Sequence, residues 1–446
     1  MTDQQKYHLP CHPASFCQDP LGLCGDSAAV VWDVIRAAIV GAAAHIDDRN
    51  IDSVVPDLIA TLVYSLHGNG SPDLGGLRQF SNRNHPHSRD LCNNVFTAAL
   101  SLPDVFPTHT LPYLSQKHPR ISLSHQQINA ILAHQLLGTL VPPPGAGWGS
   151  PTFLCWYKEQ NPHPMAVEGY LTTLFDHFAK PLTPSSQVDF YLCHSAEADM
   201  WSDCDQPIHL FLRSVKEESE PSDTSGELPP PAVIISSNHC PGFGSSGTQE
   251  ERLFSSSLYL CPIVLFCPSI PYNAALITSQ IPVHAAWNGH NRTARLTSLF
   301  PRLARPNRSY ILIDALELDG YDHSGSGLPD LANNHVEREL RKVSAGCIGL
   351  RTMYPGHTPL IECGAWGCGA FGGDVVVKGI LLAMASSCND VVIQLTLLED
   401  RREAMELIKV AIDAGLTVAQ VHVVAMSEAA KICQDGRSFV RLLSNG

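Results

Sequence analysis

The sequence predicts an α/β fold, in which helices cover a sheet, preceded by a mainly α-helical accessory domain. Three observations lead to this prediction. The first ~180 residues carry apolar residues three and four apart, whereas short β-branched and aromatic runs follow them. Helical patterns alternate with these runs, which are apolar on both faces, as is typical of strands buried between helices. With 446 residues and 44% hydrophobic content, the chain is long enough for two or three domains with cores.

The amino-terminal helices are separated by breaks rich in Pro, Gly and Asn. Asp26 is a predicted N-cap of the first helix, which extends to Ile46. Further helices are predicted at 53–66, 88–100, 124–140 and 166–178. These segments define a predicted helical domain at 1–185.

The second predicted domain, 186–446, alternates strands with helices. Strands are predicted at 189–195, 208–214, 232–238, 263–268, 309–316 and 390–397, and helices at 335–343, 374–386 and 401–414. Residues 216–231 are acidic and rich in Ser and Pro, which predicts a solvated loop. On the helix at 335–343, Arg338, Arg341 and Lys342 are expected to form a solvated face.

Charge and composition exclude several classes of protein. The 43 acidic residues outnumber the 29 Lys and Arg and give a formal charge of −14, so direct nucleic-acid binding is not expected. Without a secretory signal or an apolar run long enough to span a bilayer, a soluble intracellular protein is predicted. The 15 Cys lack any C-x-x-C pair, which favours reduced thiols, and the His-rich stretch at 84–87 favours a solvated loop over a metal site.

A first candidate site is the glycine-containing segment at 239–254. Its glycines allow backbone N–H groups to approach a phosphate or a ribose, and Glu250 and Glu251 follow. Adjacent carboxylates in one pocket would keep one of them protonated near neutral pH, as a general acid in glycoside cleavage requires. The alternative is a capped helix with two solvated glutamates.

A second candidate is the loop at 364–373, which contains five glycines and precedes a helix starting near Asp374. This position suits a pyrophosphate, since the loop N–H groups and the helix dipole would favour it. The loop lacks both the Walker pattern and the dinucleotide spacing. Tight strand–helix packing is the alternative. Trp366 is expected in the core, whereas Phe371 is the better ligand candidate.

Together, these motifs resemble those of the poly(ADP-ribose) glycohydrolase family. GAWGCGAFGGD at 364–374 is similar to that family's diphosphate-binding loop, and GTQEERLF at 247–254 resembles its Gln-Glu-Glu catalytic signature. Segments at 9–13, 121–140, 309–316 and 336–350 also resemble family segments, in the family's order.

The resemblance implies a macrodomain, a three-layer α/β/α mixed sheet, behind the helical accessory domain. It implies a nuclear or cytoplasmic glycosidase of the DNA damage response that cleaves ribose–ribose bonds and needs no metal or other cofactor. Its expected partners are poly(ADP-ribose) or ADP-ribosylated proteins. Association with a membrane is not expected.

The resemblance also implies roles for individual residues. Glu251 matches the glutamate that protonates the leaving ribose oxygen and then activates water, Glu250 matches its partner carboxylate, and Gln249 matches the preceding glutamine. His290 lies where the family places a tyrosine that stacks on adenine. The remaining expected substrate contacts are Asn238, Gly242, Phe243, Gly244 and Gly247, and the diphosphate cradle Gly367, Cys368, Gly369, Ala370 and Phe371.

The chain also departs from the family pattern. The family has three consecutive glycines where this chain has Cys240 to Gly244, and Pro241 removes a donor there. If Asn238 is the family's strand asparagine, Ile235 replaces its aspartate. A non-catalytic ADP-ribose-binding module and a catalytically silent scaffold therefore stay open beside the enzyme.

Overall fold

The computed structural model describes residues 6–25, 28–46, 51–68, 72–84, 89–143, 151–180, 187–195, 200–217, 231–267, 269–320, 327–332 and 334–445. The chain divides into two compact units. The first comprises Met1–Asp189, Cys240–Pro268 and Pro282–Arg305, and the second comprises Phe190–His239, Ser269–Ile281 and Pro306–Gly446. The segment that carries Glu250 and Glu251 therefore groups with the amino-terminal unit. The boundary at 185/186 stays a prediction.

The regular elements follow in chain order. Within the described ranges the helices are α1 (Val31–Ala44), α2 (Ile51–His67), α3 (Gly75–Asn84), α4 (Arg89–Leu100), α5 (Leu102–Val105), α6 (His125–Leu137), α7 (Pro164–Phe178), α8 (Gln249–Ser256), α9 (Ile263–Phe266), α10 (His335–Met353), α11 (Val375–Asn389), α12 (Arg402–Asp413), α13 (Val418–Ala425), α14 (Glu428–Lys431) and α15 (Gly436–Asn445). The strands there are β1 (Lys6–His8), β2 (Phe16–Cys17), β3 (Ala29–Val30), β4 (Thr110–Pro112), β5 (Arg120–Ser124), β6 (Gln187–His194), β7 (Phe211–Val215), β8 (Ala232–Ser237), β9 (Ala274–Thr278), β10 (Ile281–Pro282), β11 (Ala285–Asn288), β12 (Arg295–Leu299), β13 (Asn307–Asp314), β14 (Leu360–Cys363) and β15 (Val392–Leu398).

The first unit is mainly helical, and α6 shows how the sequence sets the helix ends. The Ser124 hydroxyl accepts from the Gln127 N–H, while the Gln127 side chain accepts from the Ser124 N–H. Two backbone N–H groups that have no partner within the helix are thereby hydrogen-bonded. Gly138 ends the helix with φ +72°, a conformation that glycine adopts without strain. Helices α1, α2, α4, α6 and α7 pack through their apolar faces.

The second unit contains a mixed sheet with the strand order β6-β9-β13-β8-β14-β15-β7. Strands β13, β8, β14, β15 and β7 are parallel, whereas β9 runs antiparallel to its neighbours β13 and β6. Helices α10 and α11 pack on each other, α10 also contacts β9 and β13, and α11 contacts β15. Strand β8 is almost wholly buried, in agreement with the apolar residues at its first four positions. The predicted α/β class with a helical amino-terminal region is confirmed.

One predicted strand is wrong. Residues 263–268 were expected to form a strand, but Ile263–Phe266 is the short helix α9 of the first unit. A brief apolar run does not distinguish a buried strand from a buried helical turn, and Pro262 favours the turn because its φ of −61° is already helical. The strand in this part of the sequence is β9 instead.

Further predictions concerned an N-cap, two loops, the cysteines and membrane-spanning helices. The N-cap at Asp26, the His-rich stretch around His85 and His87, and most of the loop at 216–231 lie outside the described residues. All fifteen cysteines are described and none of them forms a disulfide, and their reduced state stays a prediction. Among the described helices, none is sufficiently long and apolar to cross a bilayer.

Candidate functional site

The catalytic candidates lie in the first unit, on α8 and on the loop before it. Thr248 is the N-cap residue, and its hydroxyl donates to the Glu251 carboxylate one turn into the helix. Glu250 points to the start of the loop, where its Oε1 accepts from the Gly242 N–H at 3.0 Å. Glu250 is buried, Glu251 and Gln249 are half-buried, and the alternative of two solvated glutamates is therefore wrong.

Aromatic residues of the first unit anchor this loop. The Trp156 Nε1–H donates to the Gly244 carbonyl at 2.7 Å, and the Tyr170 hydroxyl donates to the Ser246 carbonyl at 2.6 Å. Phe243 is buried, with its ring centroid 4.7 Å from that of Phe153 and 5.5 Å from that of Trp156. The Phe243 side chain thus belongs to an aromatic core, and any ligand contact at this position would come from its backbone.

His290 is brought to the same loop by the turn between β11 and β12. The Asn291 N–H donates to the Gly247 carbonyl at 2.8 Å. A Cβ added at Gly247 would lie 2.3 Å from the Asn291 carbonyl oxygen, so only glycine permits this close approach. The constraint at Gly244 is weaker, since an added Cβ would lie 3.1 Å from Glu251 Oε1, the end of a side chain.

The Glu251 carboxyl is electrostatically perturbed. Burial raises the pKa of Glu251 above the usual range for a glutamate. The nearby Ser246 hydroxyl and the His163 and His290 imidazoles act in the opposite direction and lower that pKa. A carboxyl with these neighbours is suited to hold a proton, release it, and take one back.

The predicted diphosphate cradle lies in the second unit, between β14 and α11. The loop closes on itself, because the Gly373 N–H donates to the Gly367 carbonyl at 2.9 Å. Gly367 and Gly372 have φ values of +73° and +71°, which L side chains rarely adopt. Trp366 is buried and its Nε1–H donates to the Ile313 carbonyl, which confirms its place in the core.

The exposed end of this loop offers backbone donors. Within the described part of the chain, the N–H groups of Gly369, Ala370 and Phe371 donate to no other residue, while the Cys368 thiol is buried. The first amides of α11 are already occupied, because Asp374 Oδ1 accepts from the Val376 and Val377 N–H groups. An anion here would therefore be held by the loop amides and not by the helix terminus itself.

A cluster of buried charged side chains packs against the glycine loop at 364–373. Lys378, on α11, pairs with Glu339 and lies 3.5 Å from Asp330 Oδ1, and its Nζ is 4.9 Å from the centroid of the Trp366 ring. Asp330 Oδ2 in turn accepts from the Asp374 N–H at 2.9 Å. Burial disfavours charge on Lys378, but the two carboxylates outweigh it and raise the pKa of the ammonium. Lys378 thus connects Trp366, within the loop, through Asp330 with Asp374, the residue that follows the loop.

The predicted solvated face of α10 is wrong for two of its three cations. Arg338 pairs with Asp314 and Glu339, and Lys342 pairs with Asp314, all within the core of the second unit. Arg341 is half-buried. The charge pattern alone could not separate a solvated face from this network, because its acidic partners come from other elements.

Asn238 follows β8 in the second unit. Its Nδ2–H donates to Glu317 Oε1 at 3.2 Å, and the nearby Ser236 hydroxyl oxygen accepts from the Gly367 N–H at 3.1 Å. Ile235 is fully buried. Glu317 was not predicted from the sequence, because no local pattern distinguishes it from a solvated loop carboxylate.

Comparisons with known proteins fit this architecture. Residues 212–404 match the family model described as poly(ADP-ribose) glycohydrolase (PARG), macro domain fold. Poly(ADP-ribose) glycohydrolase 1 of Caenorhabditis elegans is 27% identical over 154 residues, which cover 32% of this chain and 19% of that protein. The chain thus aligns with about a fifth of that relative's length.

Solved structures of two bacterial proteins also match part of the chain. Poly(ADP-ribose) glycohydrolase from Thermomonospora curvata is 14% identical with a TM-score of 0.31, over 47% of this chain and 79% of that one. The Deinococcus radiodurans protein, solved in complex with ADP-ribose, is 13% identical with a TM-score of 0.30, over 47% of this chain and 90% of that one.

The mixed sheet and the glycine loop that follows β14 define an α/β domain with the macro domain fold. Over residues 212–404 the chain is similar to the poly(ADP-ribose) glycohydrolase family.

Proposed function

We propose that this chain hydrolyses the ribose–ribose bonds of poly(ADP-ribose) and releases ADP-ribose. The family match over 212–404 carries this proposal. The exposed amides of Gly369, Ala370 and Phe371 hold the diphosphate, and Glu251 supplies the proton chemistry. The substrate implies a nuclear or cytoplasmic enzyme with a role in the DNA damage response, which localisation of the tagged chain after DNA damage would test.

In the proposed reaction, protonated Glu251 donates its proton to the leaving ribose oxygen while the bond to the anomeric carbon breaks. The sugar acquires oxocarbenium character, and a water molecule attacks the anomeric carbon. The Glu251 carboxylate then takes the water's proton and is restored. Gln249 orients the substrate, and Glu250 fixes the loop through its bond with Gly242.

Two residues favour a second function, binding without cleavage. Pro241 lacks a backbone donor within the catalytic loop, and Ile235 is a buried apolar residue without a carboxylate. A protein of this kind would bind ADP-ribose ends of the polymer and leave the polymer intact.

One experiment separates the two functions. The native chain is incubated with purified poly(ADP-ribose), released ADP-ribose is quantified, and ADP-ribose binding is measured by calorimetry. We expect both release and binding. Binding without release would establish the non-catalytic function, and absence of both would exclude each of them.

The pH dependence of release should report the Glu251 proton. Since burial raises the pKa of Glu251, its acid form persists to higher pH than in an ordinary glutamate, and the rate falls as the pH rises through that value. His163 lowers this pKa, so His163→Gln should shift the alkaline limb of the kcat profile to higher pH. An unchanged limb would contradict the assignment of that limb to Glu251.

A further inference from the structure

Glu317 lies at the edge of the second unit's sheet where two parallel strands end. Strands β8 and β13 pair in register up to Ser237 and Asp314, so the residues that follow them emerge side by side. Asn238 follows β8 and its Nδ2–H donates to Glu317 Oε1. The carboxyl edge of parallel strands is where α/β proteins bind their ligands.

Glu317 is also adjacent to the glycine loop. The Leu318 N–H, one residue further, donates to the Phe371 carbonyl at 2.8 Å. A Cβ added at Gly372 would lie 3.1 Å from the Asp319 backbone, so the two loops pack closely. Glu317 is therefore one residue away from a backbone hydrogen bond with the exposed loop end, which carries the three donor amides.

This pair is poorly explained by folding stability. Glu317 is exposed, and an exposed side-chain hydrogen bond contributes little to the folded state. A negative charge near N–H groups that bind an anion would by itself oppose anion binding. The arrangement is favourable if the carboxylate accepts a hydrogen bond from a group attached to that anion. Sugar hydroxyls are such donors, and in dinucleotide sites an acidic residue binds the ribose hydroxyl while a glycine loop holds the pyrophosphate.

We propose that Glu317, oriented by Asn238, binds the hydroxyl groups of a ribose attached to the diphosphate. This inference rests on the proposed function and adds a specificity-determining residue to it. One hydroxyl donates to the Glu317 carboxylate, and a neighbouring hydroxyl pairs with the Asn238 amide, which both donates and accepts. Glu317 thereby supplies a carboxylate at this edge of the sheet, where β8 itself carries the apolar Ile235.

The test compares native protein with Glu317→Gln by calorimetry, with ADP-ribose and inorganic pyrophosphate as probes. Loss of a hydrogen bond to a charged acceptor should weaken ADP-ribose binding by about tenfold. Pyrophosphate has no hydroxyl, so its affinity should stay equal or increase once the negative charge is removed. Asp319→Asn is the matched control, because it removes an exposed carboxylate from the same loop.

ADP distinguishes the two riboses of the ligand, because it contains only the adenosine ribose. Equal weakening of ADP and ADP-ribose by Glu317→Gln would assign the carboxylate to the adenosine ribose. Weakening of ADP-ribose alone would assign it to the terminal ribose. Both results support the proposal.

Several results would overturn it. Unchanged or tighter ADP-ribose binding by Glu317→Gln would show that the carboxylate acts only as a charge or not at all. Equal weakening by Asp319→Asn would also overturn it, because the effect would not be specific to Glu317. If the native chain itself bound no ADP-ribose, the proposed function would fail together with this inference.

Discussion

Glu251→Gln is expected to abolish most of the release of ADP-ribose from polymer while ADP-ribose binding persists. Glutamine has the same shape and can still accept from the Thr248 hydroxyl, but it cannot transfer a proton. Loss of a general acid and base typically lowers the rate by about 10²–10⁴-fold. We would measure kcat on purified polymer and the affinity for ADP-ribose by calorimetry.

The matched control for this prediction is Glu168→Gln. Glu168 is an exposed carboxylate on α7 in the same unit, so its replacement changes the net charge equally. We expect this variant to retain native turnover. If Glu251→Gln released ADP-ribose as fast as the native chain, the proton donor would have to be a different group.

Lys378→Met is expected to destabilise the second unit by about 3–5 kcal/mol, because it leaves buried carboxylates without their cation. Methionine has a similar length but no charge, so Glu339 and Asp330 would remain in the core with reduced compensation. The measurement is the midpoint of denaturant unfolding, followed by a probe of the second unit. Lys409→Met, at an exposed position of α12, should change the free energy of unfolding by less than about 0.5 kcal/mol.

A double variant tests the electrostatic cause. Adding Glu339→Gln to Lys378→Met removes one of the uncompensated charges and should recover part of the lost stability. If the double variant were as unstable as the sum of both single variants, lost packing would explain the effect instead. ADP-ribose affinity of Lys378→Met should also fall, since Lys378 connects Trp366 with the residue that ends the glycine loop.

Periodicity predicted most of the fold because local patterns carried the necessary information. Strand β8 begins with four apolar residues, and the segment of α6 carries apolar residues three and four apart, so both were recognised without any knowledge of their neighbours. Strand β9, with the short sequence AALIT, was missed because its alanines favour no period. Segment 263–266 was predicted as a strand although it is helical. It is buried on all sides and therefore apolar at every position, so its sequence shows neither helical nor strand periodicity.

The candidate site was only partly visible in the sequence. Its glycines and the acidic pair stand close together in the chain, and Asp374 caps the predicted helix. The groups that support them come from distant segments: Trp156 and Tyr170 hydrogen-bond to the loop before α8, and Asn238 donates to Glu317, 79 residues away in the chain. Such contacts depend on tertiary structure, so spacing along the chain contained no signal for them.

The alternation of the chain between its two units has a consequence for biosynthesis. The first unit takes its last segment from Pro282–Arg305, so a ribosome must synthesise the chain as far as Arg305 before that unit can close. Until then, the apolar surface of the amino-terminal helices is exposed to solvent, a state that favours aggregation and chaperone binding. A chain cut after residue 189 would lack Cys240–Pro268 and would keep this immature state permanently.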